Sequence, residues 1–138
     1  MKYITSAENK IILMASSLKE KKYRDRYGLY LTEGKRAVFD ALNQGGDIKC
    51  IFVKDDDTAV LDAVSGEFDI YSVPEKIMGK ICGTVNPQSI AALIKINEEK
   101  LQPVKNCLVL DGISDPGNLG TIIRTAAACE IKDIFLCG

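Results

Sequence analysis

The sequence contains no histidine. It therefore offers neither a Ser-His nor a Cys-His nucleophilic pair, and it lacks the commonest general base near neutral pH. Its five cysteines, Cys50, Cys82, Cys107, Cys129 and Cys137, show no C-x-x-C spacing. With no histidine to complete a tetrahedral set, they give no zinc site, and no bound metal is expected. Met1-Lys2-Tyr3 runs straight into polar residues, so no apolar core of a secretory signal is visible. No apolar run approaches the roughly 18 residues that a membrane-spanning helix needs, and no membrane partner is expected. Four of the cysteines lie in or beside apolar patterns, where a free thiol behaves as a small hydrophobe. These features together suit a reducing cytoplasm.

What is present suits a soluble globular chain. Apolar residues make up 46% and charged residues 27% of 138 residues, enough for one core or for one small domain and part of another. The net charge of −1 is unevenly spread. Residues 1–36 hold nine Lys/Arg against four acids, a net of +5, which leaves −6 for the remainder. The densest stretch is Lys19-Glu20-Lys21-Lys22-Tyr23-Arg24-Asp25-Arg26-Tyr27, basic residues interleaved with two tyrosines. Lys21, Lys22, Arg24 and Arg26 there, with Lys35 and Arg36 further on, are candidate phosphate contacts, and the tyrosines can stack on unpaired bases. A solvated helix end carrying favourable cations is the plainer reading of the same residues.

Periodicity gives an alternating α/β pattern of about four strands over residues 1–97. Thr5-x-x-Glu8 reads as a capping box opening a helix over about 6–21, which ends in the basic cluster. Leu29–Thr32 reads as a strand and Gly34 as a break. Ala37, Val38, Ala41 and Leu42 form the stripe of a second helix that Gly45-Gly46 stops. Ile48–Val53 is the next strand. Asp55-Asp56-Asp57 has no calcium-loop spacing and reads as the cap of a short helix. After a strand at Phe68–Tyr71, Ser72-x-Pro74-Glu75 reads as a capping box for a helix with Ile77, Met78 and Ile81 on one face. Ile90–Ile96 is a strand of the buried type. Residues 98–103, polar and proline-ended, form the expected linker. A strand at 104–110, a helix at 118–129 and a strand at 131–136 then make one unit, which cannot cover both faces of its own sheet. The second domain is expected to be incomplete, with a tail that either associates with another copy or is mobile.

The most informative stretch joins that last strand to its helix: Asp111-Gly112-Ile113-Ser114-Asp115-Pro116-Gly117-Asn118-Leu119-Gly120-Thr121-Ile122-Ile123-Arg124-Thr125-Ala126. Either Asn118 or Asp115 can cap the helix. Gly117 and Gly120 allow a close approach, and Pro116 punctuates the turn. The helix start is an anion site in waiting, and Arg124, one to two turns in, adds a fixed charge. A Walker A loop is excluded because Gly120 is followed by Thr121 and Ile122 rather than Lys and Ser/Thr. Only the G-x-x-G part of a dinucleotide fingerprint is present. Spacing alone leaves an ordinary strand-to-helix turn open.

The same run, D-G-x-x-D-P-G-N-x-G-T-I-x-R-T-A, resembles the first motif of the SpoU/TrmH (SPOUT) family of RNA ribose 2′-O-methyltransferases. Ile4-Thr5-Ser6, Asn9, Lys22–Arg26 and Tyr30-Leu31-Thr32-Glu33-Gly34 resemble that family's N-terminal domain. So does Gly83-Thr84-Val85-Asn86-Pro87-Gln88-Ser89-Ile90-Ala91-Ala92, in which Ser89 stands where the family usually has glycine. The resemblance implies a small α/β/α RNA-binding domain over residues 1–97. A linker at 98–103 follows, and residues 104–138 are the first part of a Rossmann-like methyltransferase domain, knotted when complete. It implies methyl transfer from S-adenosylmethionine to RNA, ribosomal RNA being favoured over transfer RNA, by a homodimer. Asn118 and Arg124 match the family's functional asparagine and arginine, set in a loop with Asp115, Pro116, Gly117 and Gly120. The cofactor-binding residues are expected beyond Gly138, so residues 1–138 are not expected to bind S-adenosylmethionine or to be active alone. Two other classes fit the residues: a stand-alone RNA-binding module with a dimerisation tail, and a protein-interaction domain.

Overall fold

Alternation along one strand organises the larger part of the molecule. In Ile48–Lys54 (β3) the residues from Cys50 to Val53 are all buried. Period 2 sends Cys50 and Phe52 to one face of a sheet and Ile51 and Val53 to the other. A strand buried on both faces needs helices on both. The computed structural model describes residues 1–55, 57–64, 66–97 and 106–137, and the chain divides into two compact units, Met1–Glu98 and Glu99–Gly138.

In the first unit β3 sits centrally in a five-stranded mixed sheet of order β1-β4-β3-β5-β2. The other strands are Lys2–Tyr3 (β1), Leu29–Glu33 (β2), Asp69–Val73 (β4) and Ile90–Lys95 (β5). β1 and β4 run parallel to β3, β5 runs antiparallel to it, and β2, antiparallel to β5, is again parallel to β3. One sheet face carries Cys50, Phe52, Ala91 and Leu93 against Lys10–Ser17 (α1) and Glu75–Cys82 (α5), which bury Ile12, Ala15, Ile77, Met78 and Ile81. The opposite face carries Ile51, Val53, Ala92 and Ile94 with Val38 of Lys35–Asn43 (α3) and Val60 of Thr58–Ala63 (α4). The result is an α/β/α sandwich with a separate core on each side of the sheet.

Several local expectations give way to longer-range ties. β1 was not expected; it is two residues long, and the Ile4 amide continues it by donating to the Ser72 carbonyl at 3.0 Å. That tie draws residues 2–4 to the sheet, and α1 starts four residues later than the Thr5–Glu8 box implies. Its cap is Asn9, whose side chain accepts from the Ile11 amide at 3.0 Å. α1 also ends at Ser17, and the basic cluster forms its own helix, Lys21–Tyr27 (α2). Ser72 is no cap: pairing of β3 with β4 runs on to Lys54↔Val73, so Ser72 is buried in the strand and Pro74 takes the N-cap position of α5. Asp57 does cap α4, accepting from the Val60 amide at 3.1 Å. Asp56, the 98–103 linker, and residues 104 and 105 of the expected strand lie outside the described residues.

The second unit has Cys107–Asp111 (β6) parallel to Asp133–Cys137 (β7), joined by Pro116–Ala128 (α6). Its described hydrophobic residues that are buried are Leu110 and Ala126, while Val109 and Leu136 are each 59% exposed. α6 ends in a Schellman turn: Glu130 N–H donates to Ala127 O at 3.1 Å and Ile131 N–H to Ala126 O at 3.0 Å. The residue in the left-handed position is Glu130, at φ 60°, where glycine is the usual occupant. Glu130→Gly removes a conformational cost of about 1 kcal/mol. Slower amide exchange across the last turn of α6 is the expected reading, and faster exchange would contradict it.

Candidate functional site

The first unit carries the basic surface. α2 is set off from α1 by a turn at Leu18–Glu20 and ends at Gly28, in the left-handed conformation at φ 60°. Arg24 explains the break. Its Nη1 donates to the carbonyls of Leu18 at 3.0 Å and Lys19 at 2.8 Å, satisfying acceptors at the end of α1 that the helix cannot satisfy itself. The structure thus gives Arg24 an internal task beside the expected phosphate contact. Lys22 pairs with Glu20 at 2.7 Å across two exposed side chains, a contact worth little in water and easily exchanged for a phosphate. The Glu20 carboxylate bonded to it raises the Lys22 pKa, so its charge is secure. Lys21 and Arg26 have no ion-pair partner among the described residues. Tyr23 and Tyr27 stack with centroids 6.3 Å apart, Lys22 lies 4.8 Å from the Tyr23 ring centre, and Arg26 lies 5.6 Å from that of Tyr27.

Lys35 and Arg36, in the first turn of α3, differ from each other. Lys35 is held by Asp57 at 3.0 Å, whereas Arg36 is 96% exposed with a loose 3.8 Å contact to Asp40. Asp57 has its carboxyl held below the usual range by the Ser89 hydroxyl and then by Lys35. Ser89, at the position where the family usually carries glycine, thereby ties the 83–92 segment to the start of α4. The 83–92 segment also meets the end of β2 beside Gly34. Gln88 N–H donates to Glu33 Oε1 at 2.7 Å, and the Gln88 side chain occupies the space a Cβ on Gly34 would need. With φ at 103° as well, only glycine suits that position.

In the second unit the motif loop is built from local chemistry. Gly112, at φ 66°, turns the chain out of β6, and its N–H donates to Cys137 O at 3.0 Å. Asp115 is the cap: its Oδ1 accepts from the Asn118 amide at 2.7 Å, with Pro116 in the first helical position. Asn118 is therefore already inside the helix, with its side chain exposed. Arg124 is the ninth residue of α6. Side chains on a helix lean toward its N-terminus, and the Arg124 guanidinium does so: Nη2 donates to Thr121 Oγ1 at 3.1 Å. The Thr121 hydroxyl in turn donates to Gly117 O at 2.9 Å. A Cβ on Gly120 would stand 3.3 Å from Arg124 Nη1, so glycine one turn back leaves room for the folded-back arginine. Thr121 was not singled out from the sequence; its place three residues before Arg124 on a helix is the signal that could have found it.

Thiol chemistry adds nothing to this site. Burial pushes the thiols of Cys50 and Cys82 up to about 12, which keeps them protonated. Cys107, Cys129 and Cys137 are exposed rather than packed as hydrophobes. Two clefts lie beside α6, one lined by Leu108, Thr121, Ile122, Thr125 and Ile131 and the other by Ile123, Ala127, Glu130, Lys132 and Ile134.

Residues 9–92 match the MRM3-like substrate binding domain. The chain is 38% identical over 136 residues to the 23S rRNA (guanosine(2553)-2'-O)-methyltransferase RlmP of Bacillus subtilis, with 99% of this chain and 54% of that protein covered. Human mitochondrial rRNA methyltransferase 3 is 29% identical over 134 residues, covering 86% of this chain and 31% of that one. Among solved structures, the AdoMet-bound rRNA methyltransferase from Sinorhizobium meliloti superposes with a TM-score of 0.78 at 33% identity, covering 99% of this chain and 54% of that one. A crystal structure of an RNA 2'-O ribose methyltransferase gives 0.75 at 28% identity, with 99% and 55% covered. The chain thus spans about half the length of the bacterial relative and of both solved structures.

Proposed function

We propose, on the premise that this chain belongs to the SpoU/TrmH family and carries its MRM3-like substrate-binding domain, that it forms the RNA-holding part and the start of the catalytic part of an rRNA 2′-O-ribose methyltransferase. The observation that supports this most is the motif loop. An exposed arginine is folded back over a glycine and fixed by a threonine hydroxyl, beside a helix start capped by Asp115. A ribose 2′-OH must lose its proton as it attacks, so a positioned guanidinium lowers the barrier by stabilising the developing alkoxide or by holding the neighbouring phosphate. A guanidinium is a fixed cation, which suits an electrostatic role rather than that of a base. Asn118 is also exposed, in the first turn of α6, where its amide is the second group the reading assigns to the site. In the complete protein S-adenosylmethionine would supply the methyl group. On this reading the residues that bind it belong to the part of the relatives that this chain does not span. Isothermal titration of residues 1–138 with S-adenosylmethionine is therefore expected to show no binding, and stoichiometric heat would contradict this.

The basic face of the first unit supports RNA as the partner, ribosomal RNA being favoured by the relatives' activities. A homodimer in the reducing cytoplasm completes the reading. Gel-shift titration of the chain with a structured rRNA fragment tests it. Binding should weaken steeply with salt, because each neutralised phosphate releases counterions. Charge reversal at Lys21, Lys22 and Arg26 together should weaken it by at least about tenfold at 0.1 M salt. No binding at low salt would overturn the RNA assignment.

A further inference from the structure

We propose that α2 is a stacking platform on which an unpaired RNA base lies against the ring of Tyr27, with Lys21, Lys22 and Arg26 holding the phosphates on either side. The inference rests on the RNA reading above and specifies which part of the RNA this helix takes. Positions 23 and 27 are one turn apart, and so are 22 and 26. A ridge of two tyrosines therefore runs beside a ridge of two cations. The inner ring, Tyr23, packs on the first hydrophobic core and stacks on Tyr27 at an interplanar angle of 14°. That stack fixes Tyr27 without covering it: the residue remains 40% exposed. Gly28 follows in the left-handed conformation and ends the helix there, so no further turn of α2 rises over the ring.

The charges beside the platform are free to move to phosphate. Lys21 and Arg26 have no ion-pair partner among the described residues, and the Lys22–Glu20 pair is exposed. Arg24, the remaining cation of the helix, is bonded to backbone carbonyls and locks α2 against the end of α1. The platform is thus anchored through its backbone, and Lys21, Lys22 and Arg26 stand exposed on it. Bases inside a duplex already stack on each other, so a lone ring selects a bulged, looped or single-stranded nucleotide.

Fluorescence anisotropy of the 138-residue chain with two labelled probes tests this: an RNA hairpin with an unpaired adenosine loop, and a blunt RNA duplex of equal length. The wild type should prefer the loop. Tyr27→Ala should weaken loop binding by about tenfold while leaving the salt slope unchanged, because stacking is uncharged. Tyr27→Phe should restore it. Tyr27→Leu, which still covers Tyr23 but has no π face, should behave like alanine, and this separates stacking from loss of fold. Lys22→Ala should instead lower the salt slope. If the wild type binds both probes equally and Tyr27→Ala is silent, the RNA reading stands and the platform is wrong. If the wild type binds neither probe, both fall.

Discussion

Replacing Phe52 by alanine is expected to cost the first unit most of its stability. Phe52 is fully buried on the central strand of the sheet, with Tyr71 beside it in register on β4 and Ala91 on β5. Its ring stacks on Tyr71 with centroids 5.6 Å apart. Small Ala91 leaves the space that the phenyl group fills, so truncation opens a cavity that a rigid central strand closes poorly. Removing a buried phenyl costs about 3–5 kcal/mol, against a total of about 5–15 kcal/mol for a whole domain. For a unit of this size the melting temperature should fall by more than about 10 °C. Val85→Ala, at a residue 92% exposed, is the control and should change nothing. Urea and thermal unfolding, each followed by circular dichroism, give the two numbers, and a Phe52→Ala variant melting within about 3 °C of wild type would contradict the account of the core.

Loss of the Arg124 guanidinium should remove most of the methyl-transfer rate. The measurement needs a cofactor-binding half of the kind the relatives carry beyond the stretch this chain matches. A chimera in which residues 1–138 replace the matching half of the Bacillus subtilis relative supplies it. Arg124→Ala in that chimera should lower the single-turnover rate by about 10²–10³, the usual cost of deleting one preorganised charge at a developing oxyanion. RNA affinity should change little if the charge acts on the alkoxide and should fall in step with the rate if it holds a ground-state phosphate. Thr121→Val leaves the guanidinium charged but unheld, and Gly120→Ala crowds it at 3.3 Å. Both should lose rate by smaller factors while the pH profile keeps its shape. An Arg124→Ala chimera as fast as its parent would remove Arg124 from the mechanism.

What could be read in advance divides by distance along the chain. The motif loop was legible because its determinants are neighbours: Asp115 caps the amide of Asn118 three residues on, Pro116 fits the first helical turn, and Gly112 supplies the turn out of β6. The apolar stripe of α5 was legible for the same reason, and that of α3 in part: Val38, Ala41 and Leu42 pack on the sheet, but Ala37 is exposed and Phe39 packs in its place. The basic cluster was visible, but its division of labour was not. Six cations read alike in a sequence, whereas in the fold Arg24 caps α1, Lys35 is tied to Asp57 and Arg36 stands in solvent. The edge strand β1 had no local signal, since two residues form it by pairing with Tyr71 and Ser72.

The capping boxes show where local preference loses. Thr5–Glu8 and Ser72–Glu75 are both sound helix starts by side-chain chemistry. Each is overridden by a sheet hydrogen bond that satisfies a backbone group in a buried setting, where an unpaired one costs more than a cap returns. Composition, periodicity and the motif were therefore enough by themselves to establish an α/β chain, its helix faces and the residues of the strand-to-helix loop. Only the tertiary structure decided which cations remain available to a ligand, and it brought Glu33 and Gln88 together across 55 residues of chain. The physical reason is that caps and stripes are settled within one or two helical turns, whereas side-chain partnerships depend on which distant backbone atoms the sheet leaves within reach.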